Sequence, residues 1–218
     1  MRRFRREGKS MCNDRQNVMD RRHFSMLLLA GLGLPGTLHA TGAARQVGDV
    51  RSASGGVFAQ IDQRRTLSAG ADVLLGDLVW TEADARAALA MEGGSNVFLG
   101  SSARLKIDRF VAASGGQLVL GDGAMIFDRD DALPKTAIEV RSVFGLIGVR
   151  GTRFFAGPSR GTFGIFCERG EVKVEAGGET RVLAAGDGVE ITAAGAAASA
   201  LKRWNPARID EAFRSVLG

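Results

Sequence analysis

Residues 137–158 read AIEVRSVFGLIGVRGTRFFAGP, and this stretch holds the pattern on which the fold turns. In its first part Ile138 and Val140 alternate with Glu139 and Arg141. Successive side chains of a strand point to opposite faces, so such a run lays one face on a core and the other in water. The second part is LIGVRGTRF, where Gly148 and Gly151 flank Val149 and Arg150. Glycines at that spacing let the backbone turn sharply or approach another strand closely. The Arg150 guanidinium is placed to fork onto a carboxylate or onto backbone carbonyls, and Thr152 to close a local hydrogen bond. The segment is not a phosphate loop, because no Gly-Lys-Ser/Thr follows it and no helical period opens after it.

The same period of two spreads outward. Ala85, Ala87, Leu89 and Met91 form one side of ARAALAM, Leu105 and Ile107 alternate with Lys106 and Asp108, and Val172 and Val174 alternate with Lys173 and Glu175. Alternation over short runs is the mark of antiparallel strands with one face solvated. Glycine, 30 residues of 218, supplies the punctuation. Gly-Asp recurs at Gly48, Gly76, Gly121 and Gly186 and reads as a turn each time, as do the pairs beginning at Gly93, Gly115 and Gly177. Recurring strand–turn–strand units at irregular spacing argue against a strict solenoid. The expectation is an all-β fold, an antiparallel β-sandwich or jelly-roll-like rolled sheet of about ten to twelve short strands. After Ile191 the small-residue run TAAGAAASA reads as a linker or loose edge. The tail NPARIDEAFRSVLG reads as a short helix capped by Asn205 and opened by Pro206, with Ile209, Phe213, Val216 and Leu217 as its apolar stripe and Trp204 packed nearby. That helix either lies on its own domain or docks a partner.

Ahead of the strands, Asp20 to Ala44 reads DRRHFSMLLLAGLGLPGTLHATGAA. A paired arginine, a modest apolar run and a small-residue exit describe an export signal of the twin-arginine kind, cleaved near Ala40 to Ala44, with an ordinary secretory signal as the alternative. The run is short for an uncleaved membrane anchor, and Gly31, Gly33, Pro35 and Gly36 interrupt it. The expected organisation is an export leader over 1–44, a β-domain over 45–192, and a linker with a short helix over 193–218. The expected location is periplasmic or secreted, with no membrane span in the mature chain.

Removing the leader changes the chemistry. The formal net charge is +5, but residues 1–44 hold eight of the 29 basic and three of the 24 acidic residues, which leaves 21 of each. A neutral remainder gives no support for a nucleic-acid partner. Both histidines, His23 and His39, lie in the leader with Cys12, so the mature chain keeps a single cysteine, Cys167, and no tyrosine exists anywhere. No Ser-His or Cys-His pair, imidazole metal site or internal disulfide can be built from that set. Cys167 sits in the apolar run FGIFC and reads as a buried strand residue. No cofactor and no resident metal are expected; the ligand set does not suit haem, iron–sulfur or zinc, which a twin-arginine route would otherwise bring to mind. Asp128, Asp130 and Asp131 form the one acidic cluster, but Arg129 and Lys135 lie among them and the full calcium-loop pattern is missing, so they read as a solvated loop. A carboxylate-dependent glycan hydrolase would need two carboxyls facing each other across a cleft, and Glu168 with Glu171 or Asp128 with Asp131 are the available pairs.

At IGVRGT, Ile147 to Thr152, the chain resembles the FecR family of exported β-domains. The other motifs follow in the family's order: LLGDLVWT, ARAALAME, a turn at Gly94-Ser95, SSARLKIDRF, then CERGEVKVEA and LAAGDG. The resemblance runs from about Val47 to Ile191, and it implies an extracytoplasmic sensing or scaffolding domain with no catalytic residues. The partner it implies is an envelope protein or polysaccharide. The binding candidates are Gly148, Arg150, Gly151, Thr152 and Arg153, on motif grounds. Members that regulate sigma factors carry a cytoplasmic helical domain and a membrane span before this domain. Here only a leader is read, so direct signalling to a cytoplasmic sigma factor is not expected. Ser142-Val143 also stands where the family commonly has Thr-Pro.

Overall fold

The period-two runs become strands whose alternate residues leave solvent: Ala85, Ala87, Leu89 and Met91 are buried, as are Leu105, Ile107, Ile138, Val140, Val172 and Val174. The computed structural model describes residues 44–111, 114–130, 132–134 and 136–218, without the side chain of Arg150. The leader before Ala44 and Asp131 therefore lie outside the described residues. The strands are β1 (Gln46–Ser54), β2 (Val57–Gln60), β3 (Arg64–Thr66), β4 (Asp72–Leu74), β5 (Leu78–Thr81), β6 (Arg86–Met91), β7 (Ser95–Leu99), β8 (Arg104–Val111), β9 (Gly115–Leu120), β10 (Met125–Arg129), β11 (Ala137–Ser142), β12 (Gly145–Arg150), β13 (Arg153–Ser159), β14 (Thr162–Arg169), β15 (Glu171–Ala176), β16 (Glu179–Ala184), β17 (Asp187–Ile191) and β18 (Lys202–Arg203). One helix, α1 (Pro206–Leu217), follows. Eighteen strands exceed the expected ten to twelve because several, such as β3, β4 and β18, are too short to show a period.

Two nine-stranded sheets hold these strands. Sheet A has the order β18-β17-β14-β13-β10-β7-β6-β1-β4, and sheet B the order β16-β15-β12-β11-β9-β8-β5-β2-β3. The chain alternates between them in single strands or hairpins and advances along both, so each sheet's order follows the sequence apart from its β1–β4 and β2–β3 ends. Every pairing is antiparallel except β9 with β11. Between those two the chain makes one pass through sheet A as β10, and two reversals restore the starting direction. The inner faces share one apolar core, to which Leu89, Phe127 and Phe154 come from sheet A and Leu105, Leu118 and Ile147 from sheet B. This is the expected sandwich, open at its sides.

Three of the four Gly-Asp pairs mark turns, and Gly76, Gly123 and Gly186 there adopt positive φ. Two are built alike. Asp77 Oδ2 accepts the Leu74 N–H at 2.7 Å, and Asp187 Oδ2 accepts the Ala184 N–H at 3.1 Å, each three residues back. An arginine then pairs with each carboxylate, Arg65 with Asp77 at 2.6 Å and Arg203 with Asp187 at 3.2 Å. The fourth, Gly48-Asp49, lies inside β1, not in a turn. There β6 comes so close that a side chain on Gly48 would overlap the Ala90 carbonyl. Gly115 and Gly116 likewise open β9, where a side chain on Gly116 would run into the Phe110 ring.

Helix α1 lies on the outer face of sheet A. The Asn205 side chain accepts the Arg208 N–H at 2.9 Å and Pro206 takes the first turn, as the sequence predicts. Ala212 and Val216 are buried, with Ile209 and Phe213 packed beside them against Ile126, Phe155 and Phe166 of the sheet. Leu217, read as part of the stripe, is instead 44% exposed. Trp204 stacks on Phe166 at 5.1 Å, and the Arg208 guanidinium sits 3.8 Å over the Trp204 ring. The stretch before the helix is tied to β17: Ser199 donates its N–H to the Glu190 carbonyl at 2.9 Å and accepts the Glu190 N–H on its hydroxyl at 3.1 Å.

Candidate functional site

The motif residues form the crossing from sheet B to sheet A. Strand β12 ends at Arg150, Gly151 turns the chain at φ +69°, Thr152 is fully buried, and β13 begins at Arg153 in the opposite sheet. Only a residue at ease with positive φ serves at 151, which accounts for that glycine. Gly148 has no such need: it pairs in mid-strand with Glu139 and Lys173, and a side chain there would make only ordinary contacts. The Thr152 hydroxyl has no hydrogen-bond partner among the described residues; its carbonyl, not its side chain, closes the corner by accepting the Arg129 N–H at 3.0 Å. The next crossing, from β14 back to β15, packs against this one. Its Gly170, at φ +82°, lies so close that a side chain would overlap the Gly151 carbonyl and Thr152.

Charged residues converge here from β10, β13 and β14. Arg153 approaches Glu168 at 3.1 Å and Asp128 at 3.8 Å, and its guanidinium lies 5.5 Å from the Phe213 ring of α1. Arg169 binds Asp128 at 3.0 Å and the Arg129 carbonyl at 2.8 Å. Arg129 is 3% exposed, and its guanidinium pins three segments together. It donates to the Gly93 carbonyl at 2.5 Å, Ser95 Oγ at 3.0 Å, the Pro134 carbonyl at 2.9 Å and Thr136 Oγ1 at 3.2 Å. A buried guanidinium needs acceptors to offset its lost hydration, and these four bonds leave its Nε without a partner among the described residues. By sequence alone Arg129 reads as a member of a solvated loop. Its parity within the run MIFDR was the available signal, since it stands two residues from Phe127 on the inward face.

Of the two carboxylate pairs of the hydrolase reading, Glu168 with Glu171 is not a free pair, and Asp128 with Asp131 falls partly outside the described residues. Asp128 is engaged by two guanidiniums, and Asp131 lies outside the described residues. Glu168 pairs with Arg153, while Glu171 starts β15 in the other sheet beyond the Gly170 turn. Asp130 accepts the Ala132 N–H at 2.9 Å in a local turn. Among the described residues no group of three acidic, cysteine or histidine side chains could hold a metal ion. Cys167 is fully buried in β14, and its thiol is pushed up to about 11, first by burial and then by the nearby Asp187 and Glu171 charges. A thiol so placed is no nucleophile near neutral pH.

A two-sheet β-sandwich with a charge-paired crossing is thus the class of structure. Residues 77–173 match the family described as FecR protein, the family that the chain's motifs resemble. That match spans the crossing and the charged cluster. Two crystal structures of a candidate anti-sigma factor from Parabacteroides distasonis ATCC 8503 share the fold, each with a TM-score of 0.52 at 12% identity over 61% of this chain. The chain spans 62% of that protein's length. No curated protein matches the chain in sequence. Among the described residues no helix is long and apolar enough to cross a membrane.

Proposed function

We propose that this chain is an extracytoplasmic sensing domain of the FecR type that works by contact with an envelope protein or polysaccharide, not by bond-breaking. The observation that carries the reading is that the FecR match covers the crossing at Gly151 and Thr152 together with the ion-paired cluster around Arg153. The acids and bases there hold one another, which suits a rigid recognition corner. The described structural neighbour is a candidate anti-sigma factor, which favours a protein as partner. The twin-arginine leader supports a location outside the cytosol.

The test is a full-length chain carrying an affinity tag after Gly218, recovered from fractionated cells. The reading expects a processed product in the periplasmic or secreted fraction. It also expects the same envelope component to be enriched repeatedly and to be depleted with Arg153→Ala. An unprocessed cytosolic product, or hydrolysis of envelope polysaccharide by the purified protein, overturns it.

A further inference from the structure

The two sheets have four edges, and three are closed off by brevity: β3 and β4 have three residues each and β18 two. The fourth, β16, has six. The turn before it is Gly177-Gly178, with φ of +56° and +79°, so Ala176 and Glu179 close the hairpin as a hydrogen-bonded pair. From there the main chain alternates: Glu179, Arg181 and Leu183 face β15, and Thr180, Val182 and Ala184 turn outward. Ala184 gives its N–H to Asp187, and the Thr180 carbonyl accepts from Arg181 Nη1 at 3.2 Å. Among the described bonds none takes the Thr180 N–H or either main-chain group of Val182. Arg181 is held by Glu179 and by the Ser199 carbonyl at 3.4 Å while its Nη1 caps the Thr180 carbonyl, so the Thr180 N–H and the Val182 main chain are what remain open on the outward row. The Val182 side chain on that row is 49% exposed.

A second observation adjoins the first. At the start of β16 lies a cleft of about 390 Å³, walled by Val143, Phe144, Leu146 and Ala176, with Glu175 and Glu179 at its rim. Glu179 and Thr180 belong to both cleft and edge. Cleft and edge meet at the Gly177-Gly178 turn.

We infer that β16 is a strand-addition site for an extended peptide segment of a partner protein. The segment's main chain pairs with Thr180 and Val182, and an apolar side chain beyond the paired stretch enters the cleft. A second copy paired edge to edge would leave the cleft unfilled, which favours a peptide. This inference rests on the contact-based reading above and names its surface and partner class.

The test selects random linear peptides displayed against the immobilised full chain. Selected peptides are expected to carry alternating apolar residues, to slow amide exchange at Thr180 and Val182, and to bind Val182→Pro about tenfold or more weakly. Proline at an outward position removes the N–H without touching the ladder to β15. Val182→Lys keeps every main-chain group and adds charge to the edge, so it weakens binding in the same direction and decides the matter if the proline variant unfolds. Peptides indifferent to both variants, or protecting other amides, overturn the inference and leave the contact-based function standing. So does a selection that yields nothing while the envelope pull-down still finds a partner. A dimer that Val182→Lys dissolves makes the occupant a second copy and overturns it as well. Failure of selection and pull-down together removes both readings.

Discussion

The outer faces of the two sheets have opposite fates. On sheet A, Ile126, Phe155 and Phe166 are at most 2% exposed, because α1 covers them. On sheet B the outward rows of β8, β11 and β15 remain in water and are polar. Their charges pair along each strand: Lys106 with Asp108 at 3.7 Å, Arg141 with Glu139 at 3.6 Å, Lys173 with Glu175 at 2.6 Å. The difference is written in the strands themselves. RFFAGPS and TFGIFCER carry near-continuous apolar runs, as strands covered on both faces do, whereas AIEVRS and EVKVEA alternate strictly. A continuous run in an otherwise alternating domain thus announces a cover that lies elsewhere in the chain.

The contrast can be broken most severely at Phe155, fully buried with its ring 6.2 Å from Trp204 and 6.5 Å from Phe213. Phe155→Ala is expected to cost about 3–5 kcal/mol in urea unfolding, by lost burial and a cavity between helix and sheet. A loss under about 1 kcal/mol would mean that the helix is not seated in solution. A smaller effect is expected at the cap. Asn205→Ala takes the side-chain acceptor from the Arg208 N–H and should lower stability by about 1 kcal/mol. Helix-specific amide exchange should speed up while the core of sheet B stays unchanged.

Acid sharpens the same contrast. Glu190 accepts from Arg208 and from Lys202 at 3.0 Å, and these bonds hold its carboxyl below its ordinary value of 4.5. A depressed folded-state value means that the contribution is complete above the unfolded value and fades as pH falls through the folded one. The stability gap between the native chain and Glu190→Gln should therefore be constant from neutral pH down to about 5 and shrink below the ordinary value. A gap that widens in acid would contradict the pairing. The least effect belongs to the open face: Lys106→Gln, on a surface ion pair, should change unfolding free energy by less than about 0.5 kcal/mol.

Much of this was legible beforehand. Strict alternation in ARAALAM, RLKIDRF and EVKVEA specified which side chains go inward, because a strand's period is fixed by backbone geometry. The cap at Asn205 and the buried Cys167 were equally local. Other features were not. Gly48-Asp49 looks like its three sister pairs, but it sits in a strand because β6 presses on it, a neighbour distant in sequence. Gly148 and Gly151 look alike in LIGVRGTRF, yet only Gly151 turns. Arg129 lies in a charged run and reads as solvated until Gly93, Ser95, Pro134 and Thr136 are brought around it.

By itself, the sequence determined the class of fold, the inward face of the alternating strands, the helix start and the FecR motifs, since each depends on residues within a few positions of one another. The tertiary structure alone decided that the Gly151 crossing abuts the one at Gly170, that Asp128 and Glu168 meet Arg153 and Arg169, and that β16 is left as the long open edge. Those outcomes depend on which strands become neighbours. That choice comes from packing both sheets over one core, and no local pattern encodes it.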